Sequence, residues 1–347
     1  MKMKAWTLSG IGKLDFIDVP QPKIENGRDV LVEVKAVGVC GSDIHYYSEG
    51  RIGNQVVTYP FTIGHECSGT VKDVGSGARR FNVGDPVVVE PAFSCLACDQ
   101  CSSGRLHTCR NLKFMGCPGQ LGGCMAEFIV VPERNLYKVD SSISLTTAVM
   151  AEPLSIAIYA VKRSPLKSTD KILIMGAGPI GLCVMNVAGD KNVENIFITD
   201  KIDNRLDFAS LNGAAWTGNP NTNDVVSDIL SREPLGLDMV YECCGDRDAL
   251  DQAVQLLKPG GTLVIVGIPG KNRVCFDIHE IRRKEIDIIN IRRQLECMPA
   301  ALDLIARSKT FYNSIITHKY TWDKAPEALA TVANKKDNVI KALIVNE

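Results

Sequence analysis

Lys171-Ile172-Leu173-Ile174-Met175-Gly176-Ala177-Gly178-Pro179-Ile180-Gly181 decides the architecture. Lys171 to Met175 reads as a buried strand and Ile180 to Ala188 as a helix. The G-x-G-x-x-G between them is weak by itself. Set between strand and helix, with an acid about 20 residues on, it is the fingerprint of a dinucleotide site. That acid is Asp200, which ends a second strand, Ile196 to Thr199. Gly176, Gly178 and Gly181 let the backbone approach a pyrophosphate resting on the helix N-terminus. Asp200 would accept hydrogen bonds from the adenosine ribose and repel a 2′-phosphate, which favours NAD over NADP. Lys201 and Arg205 could stabilise that phosphate instead. Without a ligand, Asp200 is a turn residue after a strand.

The alternation continues outward from this unit. Val225 to Arg232 reads as a helix, Asp238 to Glu242 as extended chain and Asp248 to Leu257 as a helix. Pro259-Gly260-Gly261 turns into the strand Thr262 to Val266. Strands alternating with helices of this length predict a parallel, doubly wound α/β sheet. Strand ends in such a sheet face the ligand crevice, which puts Cys243 to Gly245 and Val266, Gly267 and Ile268 beside the cofactor. The part before this unit is rich in strands. Leu31, Val32, Val34 and Ala36 alternate with Glu33 and Lys35, the pattern of a half-buried strand. Gly69 to Val74 and Val87 to Glu90 read similarly, with a turn at Gly84-Asp85-Pro86.

Cys40-Gly41-Ser42-Asp43-Ile44-His45-Tyr46 and Gly64-His65-Glu66 carry the second kind of chemistry. A thiolate, a neutral imidazole and a carboxylate suit Zn²⁺, and three protein ligands leave one tetrahedral position open for substrate. Cys40, His65 and Glu66 are the candidates. Asp43 is the nearest carboxylate to orient His65, and Ser42 and His45 could pass a proton outward. Each residue alone would be an ordinary buried cysteine or histidine; the assignment rests on their occurring together. Cys95, Cys98, Cys101 and Cys109 follow in a C-x2-C-x2-C-x7-C pattern. Four thiolates complete a tetrahedron, so this is a structural zinc site. A reduced thiol cluster or an iron–sulfur site is the alternative, and nothing else points to electron transfer. The remaining cysteines read as small apolar core residues. In Ala151-Glu152-Pro153, Pro153 can open a helix. Glu152 is then a helix-start charge, a further zinc ligand, or a group holding substrate or water.

Composition bounds the reading. The 347 residues suggest two or three domains. Hydrophobic residues make up 45% and charged residues 23%, as in soluble globular proteins. A net charge of −1 gives no sign of a nucleic-acid or anionic-membrane partner. Ile172 to Gly189 is uncharged, but its glycines, Pro179 and Asn186 fit strand, turn and buried helix better than a membrane span. Thirteen cysteines without an export signal argue for metal and a reducing compartment, so a cytoplasmic protein is expected.

Together these residues resemble the zinc-dependent medium-chain dehydrogenase family, and within it the sorbitol (polyol) dehydrogenases. The likeness covers nearly the whole chain. It rests on Cys40 to Tyr46, Gly50-Arg51-Ile52-Gly53-Asn54, Gly64-His65-Glu66, the four clustered cysteines, Glu152-Pro153-Leu154-Ser155 and Gly176 to Gly181. It implies a GroES-like, β-rich catalytic domain over 1–152, a Rossmann domain over 153–286, and a return to the catalytic domain over 287–347. It implies one catalytic and one structural zinc per chain, NAD as cofactor, a small alcohol or polyol as substrate, and a homotetramer. Alcohol dehydrogenases of the family carry a third zinc-binding cysteine near Glu152. This chain has none there, so its zinc would be held by Cys40, His65 and a glutamate. The likeness puts Tyr46, Glu152 and Arg293 on the polyol hydroxyls, and Ile180, Asp200 and Arg205 on NAD. It departs at Arg292-Arg293-Gln294, where the polyol enzymes have Phe-Arg-Tyr. The added positive charge would favour an acidic or phosphorylated sugar.

The expected reaction is reversible oxidation of a secondary alcohol to a ketone, with hydride passing to the nicotinamide. Threonine dehydrogenases share most of these motifs and are the alternative enzyme reading; Tyr46 and Gly50 to Asn54 look more like the polyol branch. A zinc- and NAD-binding structural protein without turnover is the alternative of another class. The presence of Cys40, Ser42, His45, His65 and Glu66 argues against it.

Overall fold

The computed structural model describes residues 1–270 and 273–346. The chain forms two compact units. One is Met1–Glu152 together with the C-terminal stretch from Met298; the other is Pro153–Cys297.

The first unit is built on the strand Asp29–Gly38. Val30, Val32, Val34 and Val37 are fully buried there, while Glu33 and Lys35 stay half-exposed. Fully burying a valine is worth about 1.5–3 kcal/mol, so this row anchors the sheet. The sheet order is Leu136–Lys138, Pro86–Val89, Glu66–Val74, Asp29–Gly38, Lys341–Val345, Ile316–Thr321, and Phe128–Pro132 also pairs with Asp29–Gly38. Gly38 therefore lies opposite Glu66 on one side and Leu343 on the other. This register carries the first and last parts of the chain to one point.

The second unit is a six-stranded parallel sheet. Its order is Trp216–Gly218, Ile196–Thr199, Ile172–Met175, Leu237–Glu242, Leu257–Ile265, Asp287–Asn290. Counted along the unit this is 3-2-1-4-5-6, the dinucleotide-binding order, with its switch point between Ile172–Met175 and Leu237–Glu242. The doubly wound sheet read from the sequence is present. The expected helices appear as Pro179–Asp190, with Pro179 in its first turn, and Arg247–Leu256, whose Asp246 cap accepts from Asp248 N. The turn at Pro259-Gly260-Gly261 is a bulge within one strand. Leu237 faces Leu257 and Met239 faces Thr262, so residues 258–261 loop out between them.

Two expectations need correction. The chain does not leave the sheet at 287. Asp287–Asn290 is the sixth strand, pairing Thr262↔Asp287 through Ile265↔Asn290, and the first unit resumes only at Met298. Nor are all the remaining cysteines core residues. Cys67, Cys117, Cys124, Cys183 and Cys297 are buried, but Cys243 is half-buried and Cys244 and Cys275 are exposed. Cys243 and Cys244 follow the end of Leu237–Glu242, where the chain turns out of the sheet. Ile172 to Gly189 divides into strand, turn and helix. The helical run Leu145–Arg163 is apolar enough to cross a membrane, but 72% of its most apolar stretch is buried in the protein.

Candidate functional site

Cys40 leaves the end of the central strand as the N-cap of the helix Gly41–Glu49. Asp43, in the first turn and fully buried, accepts the Cys40 N–H at 3.0 Å with Oδ2 and the Gly64 N–H at 3.2 Å with Oδ1. The same Oδ1 lies 3.5 Å from His65 Nδ1. One buried carboxylate thus fixes both chain segments and aims the histidine. The donor atoms of Cys40, His65 and Glu66 lie within 4.8 Å of one another. Burial works against a charged His65, but Asp43 and Cys40 outweigh it and hold its pKa well above the ordinary value. A thiol, an imidazole and a carboxylate converging this closely suit a metal cation, and binding one would displace the imidazole proton.

Glu66 is buried and its Oε2 is paired with Lys341, whose ammonium also donates to Val39 O at 3.1 Å. Burial lowers the Lys341 pKa, but Glu66, Cys40 and Glu152 raise it above the ordinary lysine value. Glu152 does not join the converging donors. It is 8% exposed, in the first turn of the helix Ala151–Arg163.

The helix carries the other candidates. Ser42 Oγ donates to Cys40 Sγ at 3.4 Å, and His45 Nδ1 lies 3.2 Å from Glu49 Oε1. Tyr46, one turn beyond Ser42 and buried, donates to Gln55 Oε1 at 3.2 Å and approaches Cys117 Sγ at 3.8 Å. The Phe114 ring stands 5.3 Å from that of His65.

The sulfurs of Cys95, Cys98, Cys101 and Cys109 converge within 4.8 Å. Cys98 Sγ is 3.6 Å from Cys101 Sγ and 3.8 Å from Cys109 Sγ. Backbone N–H groups point at the sulfurs: Cys95 N at Cys109 Sγ, 3.2 Å, and Arg110 N at Cys98 Sγ, 3.5 Å. The backbone N–H of Ala97, with help from Cys109, pulls the Cys95 thiol down to about 6, while burial and its neighbours push Cys101 up. Four thiols this close cannot all ionise alone; a divalent cation resolves the conflict. Arg110 forks onto Asp99 at 2.5 and 2.9 Å and closes the loop.

In the second unit the glycine-rich turn is tight. Gly176 has φ +102° and packs on Cys244, and a Cβ at Gly181 would collide with Gly176 O. Gly178 caps the helix Pro179–Asp190 and faces Arg205 Nη1, 3.7 Å from where a Cβ would lie. Asp200 accepts from Ala177 N and Ile202 N, and Arg205 Nη1 lies 3.8 Å from its Oδ2. Lys201 donates to Asp246 at 2.6 Å. Val266 N and Gly267 N donate to Glu242 O, and Ile268 is 47% exposed. Ile180 is half-buried in the first turn of its helix. Arg293 belongs to this unit, with φ +55°; Arg292 is exposed, and Gln294 is buried, its Oε1 accepting from Cys297 N at 2.7 Å.

Sequence reasoning missed Lys341, Gln55 and Glu242. Glu242 is 1% exposed and its Oε1 accepts from Cys244 N and Gly245 N at 2.7 and 2.5 Å. Burial raises its pKa. A lone acid closing the apolar run Met239-Val240-Tyr241 was its only signal.

Residues 26–141 match the alcohol dehydrogenase GroES-like domain and residues 179–307 the zinc-binding dehydrogenase family. Sorbitol dehydrogenase of Bacillus subtilis (strain 168) is 33% identical over 99% of this chain and 97% of its own. L-idonate 5-dehydrogenase of Vitis vinifera is 33% identical over 98% and 94%. Two solved structures are similar throughout. A zinc-binding dehydrogenase of Sinorhizobium meliloti 1021, bound to NADP, has TM-score 0.90, 28% identity, and coverage of 99% of both chains. An alcohol dehydrogenase of Escherichia coli CFT073, with NADH, has TM-score 0.87, 29% identity, and coverage of 99% of both.

Proposed function

From the premise that this chain belongs to the zinc-binding alcohol dehydrogenase family and is a dehydrogenase of alcohols or polyols, we propose that it oxidises a secondary hydroxyl of a polyol or sugar-derived substrate to a ketone, with NAD as oxidant. The observation that carries this is the convergence of Cys40, His65 and Glu66 around the buried Asp43. Zinc held there would supply Lewis acidity to the substrate hydroxyl, and NAD would take the hydride. Ser42, hydrogen-bonded to Cys40, receives the hydroxyl proton, and His45 delivers it to solvent with Glu49 beside its Nδ1. Tyr46 and Glu152 hold the remaining substrate hydroxyls. Cys95, Cys98, Cys101 and Cys109 hold a structural zinc.

The preference for NAD rests on two ion pairs. Lys201 pairs with Asp246 and Arg205 lies 3.8 Å from Asp200, so a 2′-phosphate would compete with a carboxylate for each cation. Gly176, Gly178, Ile180 and Gly181 would meet the pyrophosphate, and Val266, Gly267 and Ile268 the nicotinamide end. A homotetramer in the cytoplasm, as the resemblance implies, completes the proposal.

The test is cofactor reduction with sorbitol, xylitol, L-idonate, a phosphorylated hexitol and L-threonine, each with NAD and NADP. Turnover of a polyol or sugar acid with NAD is expected. Turnover of threonine alone, or of none of these by zinc-loaded protein, would reject the proposal.

A further inference from the structure

Lys341 stands behind the candidate metal centre, and the reaction above gives it nothing to do. It opens the strand Lys341–Val345, whose pairing with Asp29–Gly38 brings it beside Glu66. The side chain is 2% exposed, so water cannot carry its charge. The ammonium holds Glu66 Oε2 and Val39 O. Cys40 and Glu152 also act on it. Gly38 keeps the space open: a Cβ there would overlap Glu66 Oε2 and come within 3.1 Å of Lys341 Cε.

We propose that Lys341 is the resident counter-ion of the metal centre: it shares the Glu66 carboxylate with the metal, holds that carboxylate in place when the metal is away, and loosens the metal's hold. The inference rests on the reading that Cys40, His65 and Glu66 bind zinc. Two positive charges compete for one carboxylate, and the ammonium makes Glu66 a weaker donor. Removing the charge should therefore strengthen zinc retention, whereas removing a merely structural residue would weaken it.

The experiment compares Lys341→Gln, which keeps a donor and loses the charge, with Lys341→Arg, which keeps the charge. Zinc per chain and the rate of its loss to a chromophoric chelator are measured on zinc-loaded protein. The faster-lost zinc should leave on the order of 10-fold more slowly from the Gln variant, the scale on which groups behind metal ligands act. The Arg variant should match the unmodified protein. In a Glu66→Gln background, Lys341→Gln should no longer slow release. The metal-free Gln variant should melt below the metal-free unmodified protein. Equal or faster zinc loss from the Gln variant would overturn the inference, and so would failure of that variant to fold even with zinc. One zinc per chain in the unmodified protein would instead overturn the metal-centre reading beneath it.

Discussion

Asp200 accepts the Ala177 N–H with one carboxylate oxygen at 2.8 Å and the Ile202 N–H with the other at 2.9 Å. The acid closing the second strand is thus built into the glycine-rich turn that precedes it by a whole helix. A carboxylate has about four lone-pair sites, so both oxygens keep capacity for ribose hydroxyls. Arg205, 3.8 Å away, balances the charge.

Asp200→Ser should therefore have two effects. The NAD preference should narrow or reverse, because Arg205 is freed to meet a 2′-phosphate. Stability should fall by roughly 1–3 kcal/mol, because buried N–H groups lose their acceptor. Asp200→Asn keeps one acceptor oxygen without charge, and should shift the preference with a smaller drop in Tm. Ratios of kcat/KM for the two cofactors, with melting curves, check this. An undiminished NAD preference in the Ser variant would remove Asp200 from the cofactor site.

The two glutamates should separate. Glu66 lies with Cys40 and His65, and Glu152 does not join them. Glu66→Ala should lower catalytic zinc content and activity together. Glu152→Ala should keep most of its zinc and lose activity on the order of 10–100-fold. Metal analysis of the purified variants decides; zinc loss in the Glu152 variant alone would exchange the roles.

What could be read from the sequence depended on how local each feature is. Gly176 to Gly181 and Asp200 sit within one strand–helix–strand unit, so their spacing carries the meaning. The four cysteines are close enough to read directly. Cys40 and His65 could be named, but the Gly38↔Glu66 register that joins their segments is a long-range pairing that no local pattern records. Lys341 is 275 residues from Glu66, and in sequence it is an ordinary charge before an apolar strand. Asp287–Asn290 was missed as a sheet strand because four residues are too few to show alternation, and because its sheet edge lets three of them stay exposed.

The two zinc ions should differ in lability. The cysteine cluster offers four thiolates and no open position, whereas the Cys40 centre has three converging donors. Mild chelation should remove one zinc and abolish activity while the melting transition survives. Stronger chelation should remove the second and expose residues 95–109 to proteolysis. Zinc counted against activity along a chelator series checks the order. Full activity without bound metal would contradict both assignments.

Glu242 ties the stability of the second unit to pH. It is buried at the end of Leu237–Glu242, where Oε1 takes the Cys244 and Gly245 N–H groups and Gly267 packs close enough that a Cβ would come within 2.8 Å of Oε2. Burial raises its pKa, and those hydrogen bonds only partly offset the shift. A folded value above the unfolded one, about 4.3 for glutamate, means that the folded state holds the proton more tightly. Stability from this group is then present below the unfolded value and is lost as pH rises through the folded one. Glu242→Gln keeps an acceptor for both N–H groups and has no charge to bury. The variant should melt above the unmodified protein near neutral pH, with the gap closing as pH falls toward the ordinary glutamate value. Melting curves of the two proteins across that range measure it. A gap that does not change with pH, or a variant less stable at neutral pH, would show that the carboxylate charge is stabilised where it sits.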